Sequence, residues 1–271
     1  MDMKNQFEAR VAEAYGRHSE KYAPVLEPIL APMAAEIVTL ASLKPGEKVL
    51  DLATGTGLIA RTAARFTDFV VGADLAFGVL VRARELSAGE LPYLAADAHR
   101  LPFGNRCFDV VICGLSLSHF SHVQSALAEV RRALRAGGRF LTTAWGTEGE
   151  SPSKSAAVKV RNRFLEDRAI IFEGPFSNEL WADVKQGRQA LQEAGFAGIQ
   201  VKTMRLTGQH KSHSDAIEAA LAWPLTRYRI ARLDPAQQRQ LREETAAAIL
   251  EVDDLRWESQ IHYYQAVRPA D

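Results

Sequence analysis

Residues 48–57, Lys-Val-Leu-Asp-Leu-Ala-Thr-Gly-Thr-Gly, constrain the fold of this chain more than any other stretch. An apolar, β-branched run reaches an acid, Asp51, and the chain then turns on Gly55 and Gly57 into a helical pattern that starts near Leu58. Glycines at such a turn let a nucleotide-like ligand approach the backbone, because no Cβ stands in the way. The helix that follows presents free N–H groups at its start. Asp51 adds what a phosphate site avoids, a negative charge where a cation, an amine or hydroxyls fit.

Strand and helix signals alternate from this point on. Strands are expected over 49–52, 69–73, 93–96, 108–113 and 139–145, with helices over 58–66 and 79–86. The helix after the fourth strand is the clearest in the chain: Ser121 and Gln124 match a capping box, and Val123, Ala126, Leu127, Val130, Ala133 and Leu134 share a face. Gly137-Gly138 should stop it. Units of this kind imply a doubly wound, Rossmann-like α/β fold with a mostly parallel sheet. Residues 1–44 read as an N-terminal helical cover that Pro24, Pro28 and Pro32 break into pieces, and 45–271 as the main domain. After Trp145 the rhythm changes. Residues 147–182 and 209–256 read as helical insertions over a substrate, around a helix at 182–194 and strands at 199–205 and 259–267.

Basic and acidic side chains number 33 each, so nothing in the overall charge argues for a nucleic-acid partner. With 47% apolar residues the chain can fill a sizeable core. Its two cysteines, Cys107 in a turn and Cys113 in a strand, suggest neither a disulfide framework nor a metal site. His210 and His213 lack the neighbours a metal would need. No uninterrupted apolar run approaches the ~18 residues of a membrane span, and the start of the chain has no signal-peptide core. The expectation is a cytoplasmic protein without a membrane partner. An aromatic last strand (Tyr263, Tyr264) and the long insertion are compatible with a homodimer.

Gly55-x-Gly57-x-x-Ala60 satisfies a dinucleotide fingerprint, with Asp74 at the spacing of a ribose-binding acid. By itself this does not separate NAD from other adenosine ligands. Three features do: Asp51, whose charge a nearby pyrophosphate would meet with repulsion; the succession of acids Asp51, Asp74 and Asp97 at neighbouring strand ends; and Asp97-Ala98 followed by Leu101-Pro102-Phe103 and Phe108-Asp109-Val110-Val111. Asp109 reads as a structural turn acid. On these motifs, over residues 45–145 and again at Gly195-Phe196, the sequence resembles the class I S-adenosylmethionine-dependent methyltransferases, in the small-molecule branch that includes ubiquinone and menaquinone biosynthesis (methyltransferase type 11).

The resemblance implies a seven-stranded sheet whose last strand lies antiparallel between strands five and six. It implies that Asp51, Ala53, Thr54, Gly55 and Gly57 hold the methionine moiety and that Asp74 takes the ribose hydroxyls. Leu75 would pack on the adenine, and Asp97 and the Ala98 N–H would recognise its edge, with Leu115 also in the cofactor site. The first glycine of the usual motif is Ala53 here, which implies a slightly tighter turn. The motifs of metal-dependent catechol methylation and of DNA-amino methylation are absent, and Leu-Ser-Leu-Ser-His-Phe stands where the latter would be. An aromatic from the N-terminal cover, Tyr22 rather than Tyr15, is expected over the cofactor. His119 is the candidate general base for the methyl acceptor, while His122 is expected to be solvated. Trp223, Arg227, Tyr228, Arg229 and Arg232 are either a substrate-binding stretch or a solvated helix face.

The resulting expectation is an enzyme that transfers a methyl group from S-adenosylmethionine to a small molecule. The alternatives are an NAD-type oxidoreductase and a non-methylating protein, a cyclase or a structural relative, on the same fold.

Overall fold

The computed structural model describes residues 3–147 and 151–270; residues 1–2, 148–150 and 271 lie outside the described residues, and with them small parts of the expected cover segments 1–44 and 147–182. The chain enters through a 39-residue helix, α1 (Met3–Ala41). It continues through β1 (Lys48–Leu52), α2 (Leu58–Ala63), β2 (Phe69–Asp74), α3 (Phe77–Leu86), β3 (Tyr93–Ala95) and β4 (Phe108–Gly114). A 3-10 turn at Leu117–His119 leads to α4 (Val123–Ala133), β5 (Leu134–Trp145), α5 (Pro152–Glu166), α6 (Asn178–Ala182) and α7 (Val184–Glu193). Next come β6 (Ala197–Gln209), α8 (His213–Leu221), α9 (Pro224–Ile230), α10 (Pro235–Val252) and β7 (Arg256–Val267).

The seven strands form one sheet in the order β3-β2-β1-β4-β5-β7-β6. Pairing is parallel from β3 through β5, and β7 runs antiparallel to both β5 and β6. The chain winds outward from β1 to β3 and then returns to the other side of β1, so the winding reverses between β1 and β4. A crevice opens beyond the carboxyl ends of strands at such a reversal.

Alternation along β1 decides what each side chain meets. Leu50 and Leu52 join the core packed by α4 and α7, whereas Val49 joins the core packed by α1 and α2. Asp51 shares the second direction and so comes up beneath the start of α2.

The structure corrects three local expectations. Helix α1 is continuous, although it contains Pro24, Pro28 and Pro32. The four-residue spacing puts all three prolines on one face, and that face is exposed. The carbonyls they leave without a helical donor belong to Glu20, Pro24 and Pro28, which are exposed, while Leu26, Leu30, Ile37 and Ala41 on the other face are buried. The capping box does not form. His122 is the N-cap of α4 and makes no side-chain cap bond, Ser121 is held by Glu8, and Gln124 donates to the carbonyl of Ala190. Helix α4 ends at Ala133, before the glycine pair, and Leu134 already pairs with Phe108; the ladder shifts register there and resumes at Arg139, with Gly137 in the left-handed region at φ 70°.

By length and composition, Gln6–Ala41 is also long and apolar enough to cross a membrane. Charged side chains such as Glu27 and Glu36 and the three prolines interrupt its apolar residues, so it does not show as one run in the sequence. Here its apolar face is spent on the core.

Candidate active site

The turn after β1 is organised by one buried carboxylate. Asp51 is 1% exposed. Its Oδ2 accepts hydrogen bonds from the Thr54 hydroxyl at 2.6 Å and the Ala60 N–H at 2.9 Å, while Oδ1 is buried without a partner. Burial raises its pKa to about 7 against the lowering effect of those two hydrogen bonds. Ala53, the residue in place of the usual glycine, sits in the left-handed region at φ 54°. The Gly55 N–H donates to Asp74 Oδ2 at 2.9 Å and the Ala76 N–H to Asp74 Oδ1 at 2.8 Å, so Asp74, last in β2, is fixed by backbone from both sides of the crevice. Burial raises the Asp74 pKa as well, opposed by these backbone donors. Behind the turn, Glu27 of α1 accepts from Thr56 Oγ1 at 2.5 Å and pairs with Arg61 at 2.7 Å, which locks the cover helix to α2.

The third acid is placed differently. β3 ends at Ala95, so Asp97 lies beyond the strand in an exposed position. Its Oδ1 accepts from the His99 N–H and contacts His99 Nδ1, both at 2.8 Å. The Ala98 side chain beside it is buried.

All three acids line one cavity of about 670 Å³. Ala53, Thr54, Gly55, Leu75, Ala98, Leu115, Tyr22 and His119 line it too. Gly57 does not. It begins α2 at φ 81°, and a Cβ there would stand 2.5 Å from the Tyr93 hydroxyl, so its role is close packing. Gly55 is the opposite case, since a Cβ on it would meet nothing within 4 Å.

Tyr15 and Tyr22 both face the cavity, 6.4 Å apart between ring centres, and burial pushes both hydroxyl pKa values up. His119 is packed by the rings of Tyr15 at 5.6 Å and Phe176 at 5.8 Å. Burial lowers its pKa to about 4, so the imidazole is neutral at pH 7. His122 is exposed.

The other end of the cavity belongs to the helical cover and the last strand. Trp145 and Trp223 meet edge to face at 5.8 Å, and Trp257 lines the same space. Lys154 and Arg161 from α5 are the lysine and arginine in the lining. Lys154 donates to Ser259 at 2.9 Å. Of the five residues read as a possible substrate stretch only Trp223 reaches the cavity. Tyr228 is 3.4 Å from Glu13 of α1, Arg232 covers the Tyr228 ring, and Arg229 donates to the carbonyl of Ile170.

Sequence spacing gave no sign of Glu8, His99, Trp145 or Trp257 as neighbours of this site. Glu8, Asp97 and His99 each bring a potential ligand atom within 4.8 Å of the others, as a metal site would require. Those atoms serve hydrogen bonds and ion pairs among the three residues and to Ser121. His213 is paired with Asp253 at 2.9 Å, away from His210 in the cavity lining. Asp109 accepts from the Lys48 N–H at 2.7 Å and pairs with Arg135 at 2.6 Å, a structural acid.

A profile of the methyltransferase domain matches residues 50–142, the segment that carries the three acids. A demethylmenaquinone methyltransferase of Mycobacterium bovis is 30% identical over 59% of this chain and 70% of its own length. The chain belongs to the class I S-adenosylmethionine-dependent methyltransferases. Among solved structures, a Haemonchus contortus phosphoethanolamine N-methyltransferase in complex with S-adenosylhomocysteine shares the fold at TM-score 0.58 and 21% identity, over 94% of this chain and 58% of the other. The [4+2]-cyclase SpnF shares it at TM-score 0.52 and 16% identity, over 89% and 82% of the two chains.

The cofactor of this methyltransferase is S-adenosylmethionine, and the residues present suit it. A carboxylate oxygen of Asp51 lacks a donor, the space above Gly55 is open, and acids rather than cations surround the strand ends. The dinucleotide reading of Gly55, Gly57 and Ala60 is thereby set aside.

Proposed function

We propose that this methyltransferase acts on a small-molecule acceptor, which it holds at the tryptophan-lined end of the cavity while the strand ends hold the cofactor. One observation carries the reading. The acids in the described lining are Glu8, Asp51, Asp74 and Asp97, all at the strand-end side, whereas the side formed by α5, α8, α9 and β7 has no acid in its described lining and combines apolar and aromatic side chains with neutral polar ones such as Thr226 and Gln260 and two cations. A cationic ligand and an apolar one therefore find different ends of a single enclosure.

When bound, the cofactor supplies an electrophilic methyl carbon on a positively charged sulfur. Asp51 would take the ammonium of its amino-acid end through Oδ1, with Ala53, Thr54 and Gly55 forming the backbone floor. Asp74 would accept from the ribose hydroxyls with the lone pairs its backbone donors leave unused. Leu75, Ala98, Leu115 and Tyr22 would enclose the adenosine, and Asp97 would accept from the adenine amine. Trp145, Trp223 and Trp257 would orient the acceptor and exclude water, which is the main contribution an enzyme makes to an in-line displacement. His119, neutral at pH 7, would accept a hydrogen bond from the N–H or O–H that attacks. With its basicity lowered so far, it would pass a proton on to water rather than keep it.

The test is calorimetry with S-adenosylmethionine, followed by transfer of a labelled methyl group to a panel of hydroxyl, amine, thiol and carbon acceptors. Mass spectrometry of small molecules carried through purification would point to the acceptor. Absence of cofactor binding at millimolar concentration would sink the reading. Tight binding with no transfer to any acceptor class would replace it with a non-methylating one.

A further inference from the structure

Helix α1 is tied to the far side of the crevice through a short series of side chains. Phe7, at its start, is buried against Phe176 at 4.8 Å and fixes the register of the next residue, Glu8. Glu8 Oε1 accepts from the Ser121 N–H at 2.7 Å and from its hydroxyl at 2.6 Å. The same oxygen lies 3.5 Å from His99 Nε2, long for a hydrogen bond but close for an electrostatic contact. His99 turns its other ring nitrogen to Asp97 Oδ1 at 2.8 Å, and its N–H reaches that oxygen at 2.8 Å. The Glu8 and His99 side chains are 12% and 15% exposed, so water competes little for these contacts. Oδ1 of Asp97 is thus engaged twice, and Oδ2 carries no hydrogen bond among the described residues.

We propose that Glu8 and His99 are positioning residues that hold Asp97 with Oδ2 turned to the adenine amine, so that seating α1 and recognising adenine are one coupled event. The proposal rests on the role given to Asp97 above. An imidazole suits the task because its two nitrogens face different partners at a fixed angle. Phe120 and His122 pack the ring at 5.9 and 6.1 Å, which keeps it from turning away. Glu8 belongs to the cover and Asp97 to the strand ends, so adenine binding tightens the cover, and a seated cover tightens adenine binding by the same factor.

The test compares S-adenosylhomocysteine with S-inosylhomocysteine, which replaces the adenine amine by a carbonyl, in calorimetric titrations of the full chain. Wild type should prefer the adenosyl compound by about tenfold or more, the worth of one hydrogen bond to a charged acceptor. Glu8→Ala and His99→Ala should each reduce that preference to about threefold or less, and the double variant should go no further, because both act through Asp97. Glu8→Gln keeps an acceptor for Ser121 and with it the docked helix, and should lose preference in the same direction. In wild type, cofactor product should slow amide exchange over the first turns of α1, and in His99→Ala it should not. A purely structural role would weaken both compounds equally and leave the preference intact, which would overturn the proposal. Full preference in Glu8→Gln would overturn it as well. Full preference in Asp97→Asn would remove its foundation, and failure of wild type to bind either compound would instead remove the cofactor reading itself.

Discussion

The two ends of the cavity are built by opposite means. At the strand ends each acid is set by backbone N–H groups: Asp51 by Ala60, Asp74 by Ala76 and by Gly55 of the neighbouring turn, and Asp97 by His99. The tryptophan-lined end takes its walls from α1, α5, α8, α9, β5 and β7, and its contacts are between side chains such as Trp145 and Trp223, far apart in the chain. The first end therefore stores electrostatic tension in a rigid frame, with Asp51 buried and half-satisfied. The second stores shape. Substitutions should separate them, because a change at one end should leave the binding function of the other intact.

The largest effect is expected at Asp51. Asp51→Asn keeps the size and an oxygen for Thr54 and Ala60, but removes the charge. Affinity for S-adenosylmethionine should fall by about a hundredfold or more, as when a charge-assisted pair is lost from a dry site. The ligand-free protein should become more stable at the same time. The wild-type carboxyl has a pKa of about 7 in the fold and near 3.8 when exposed. The fold holds the extra proton between those values, so wild-type stability declines as pH rises from about 4 to 7, by on the order of 4 kcal/mol for this group. The melting temperature of the variant should pull ahead of wild type across that window and stay ahead above it. Cofactor affinity of wild type should strengthen over the same rise, since the ammonium favours the ionised acid. A variant that binds like wild type would show that the strand-end charge is not what selects the ligand.

Next in size is the acceptor end. Trp223→Ala removes an aromatic wall that meets Trp145 edge to face. The KM for the acceptor should rise about tenfold to thirtyfold, an ordinary cost for deleting an aromatic anchor, while the Kd for S-adenosylhomocysteine stays within about twofold. Equal losses in both would mean that the two ends are not independent.

The same contrast explains what the sequence made legible. The parallel strands and the crevice at their ends followed from alternating strand and helix signals, whereas the antiparallel last strand was implied only by the resemblance to the methyltransferases. Asp51, Asp74 and Gly55 could be placed because their motifs stand in register at the strand ends, even though the bond that joins Gly55 to Asp74 spans 19 residues. Helix α1 is not legible as one element because proline signals a break whatever face it occupies; the spacing of 24, 28 and 32 is itself helical and marks the solvent side. Ser121 and Gln124 made a plausible capping box, but a carboxylate 113 residues away on α1 took the serine. Glu8 and Ser121, or Trp145, Trp223 and Trp257, come together only when the cover closes, and no local pattern encodes that. The motif points Gly57 at the ligand, but the need for a bare Cα there comes from Tyr93.

A smaller effect should come from His119, which touches both halves through Tyr15 and Phe176. His119→Phe keeps the ring packing and should lower kcat about tenfold, the worth of one hydrogen bond to the acceptor, with little change in cofactor affinity. Its depressed pKa fixes the sign of the stability effect. The unfolded chain takes a proton near pH 6.5 and the fold resists one until about pH 4, so wild type gains stability as pH rises through that window. That slope is opposite to the one from Asp51, and the two largely overlap. Melting curves for His119→Phe should thus decline more steeply with rising pH than those of wild type, whereas Asp51→Asn should do the reverse.

The smallest effect is expected at Ala53, and it asks whether the strand-end site depends on its carboxylates or on the shape of the turn between them. Alanine at φ 54° pays about 1–2 kcal/mol for a conformation that glycine adopts freely. Ala53→Gly relieves that strain but frees the unfolded chain, which costs about 0.4–1 kcal/mol. It also removes a methyl group that packs on the main core. The terms nearly cancel, so denaturant midpoints should shift by less than about 1 kcal/mol of stability. The Gly55 N–H still donates to Asp74, and the Thr54 hydroxyl to Asp51, because neither bond involves the Ala53 side chain. Cofactor affinity should accordingly stay within about twofold, below the worth of a single hydrogen bond. A tenfold change in either direction would mean that this Cβ shapes the ligand contact directly, and that the turn, as much as Asp51, selects what binds at the strand ends.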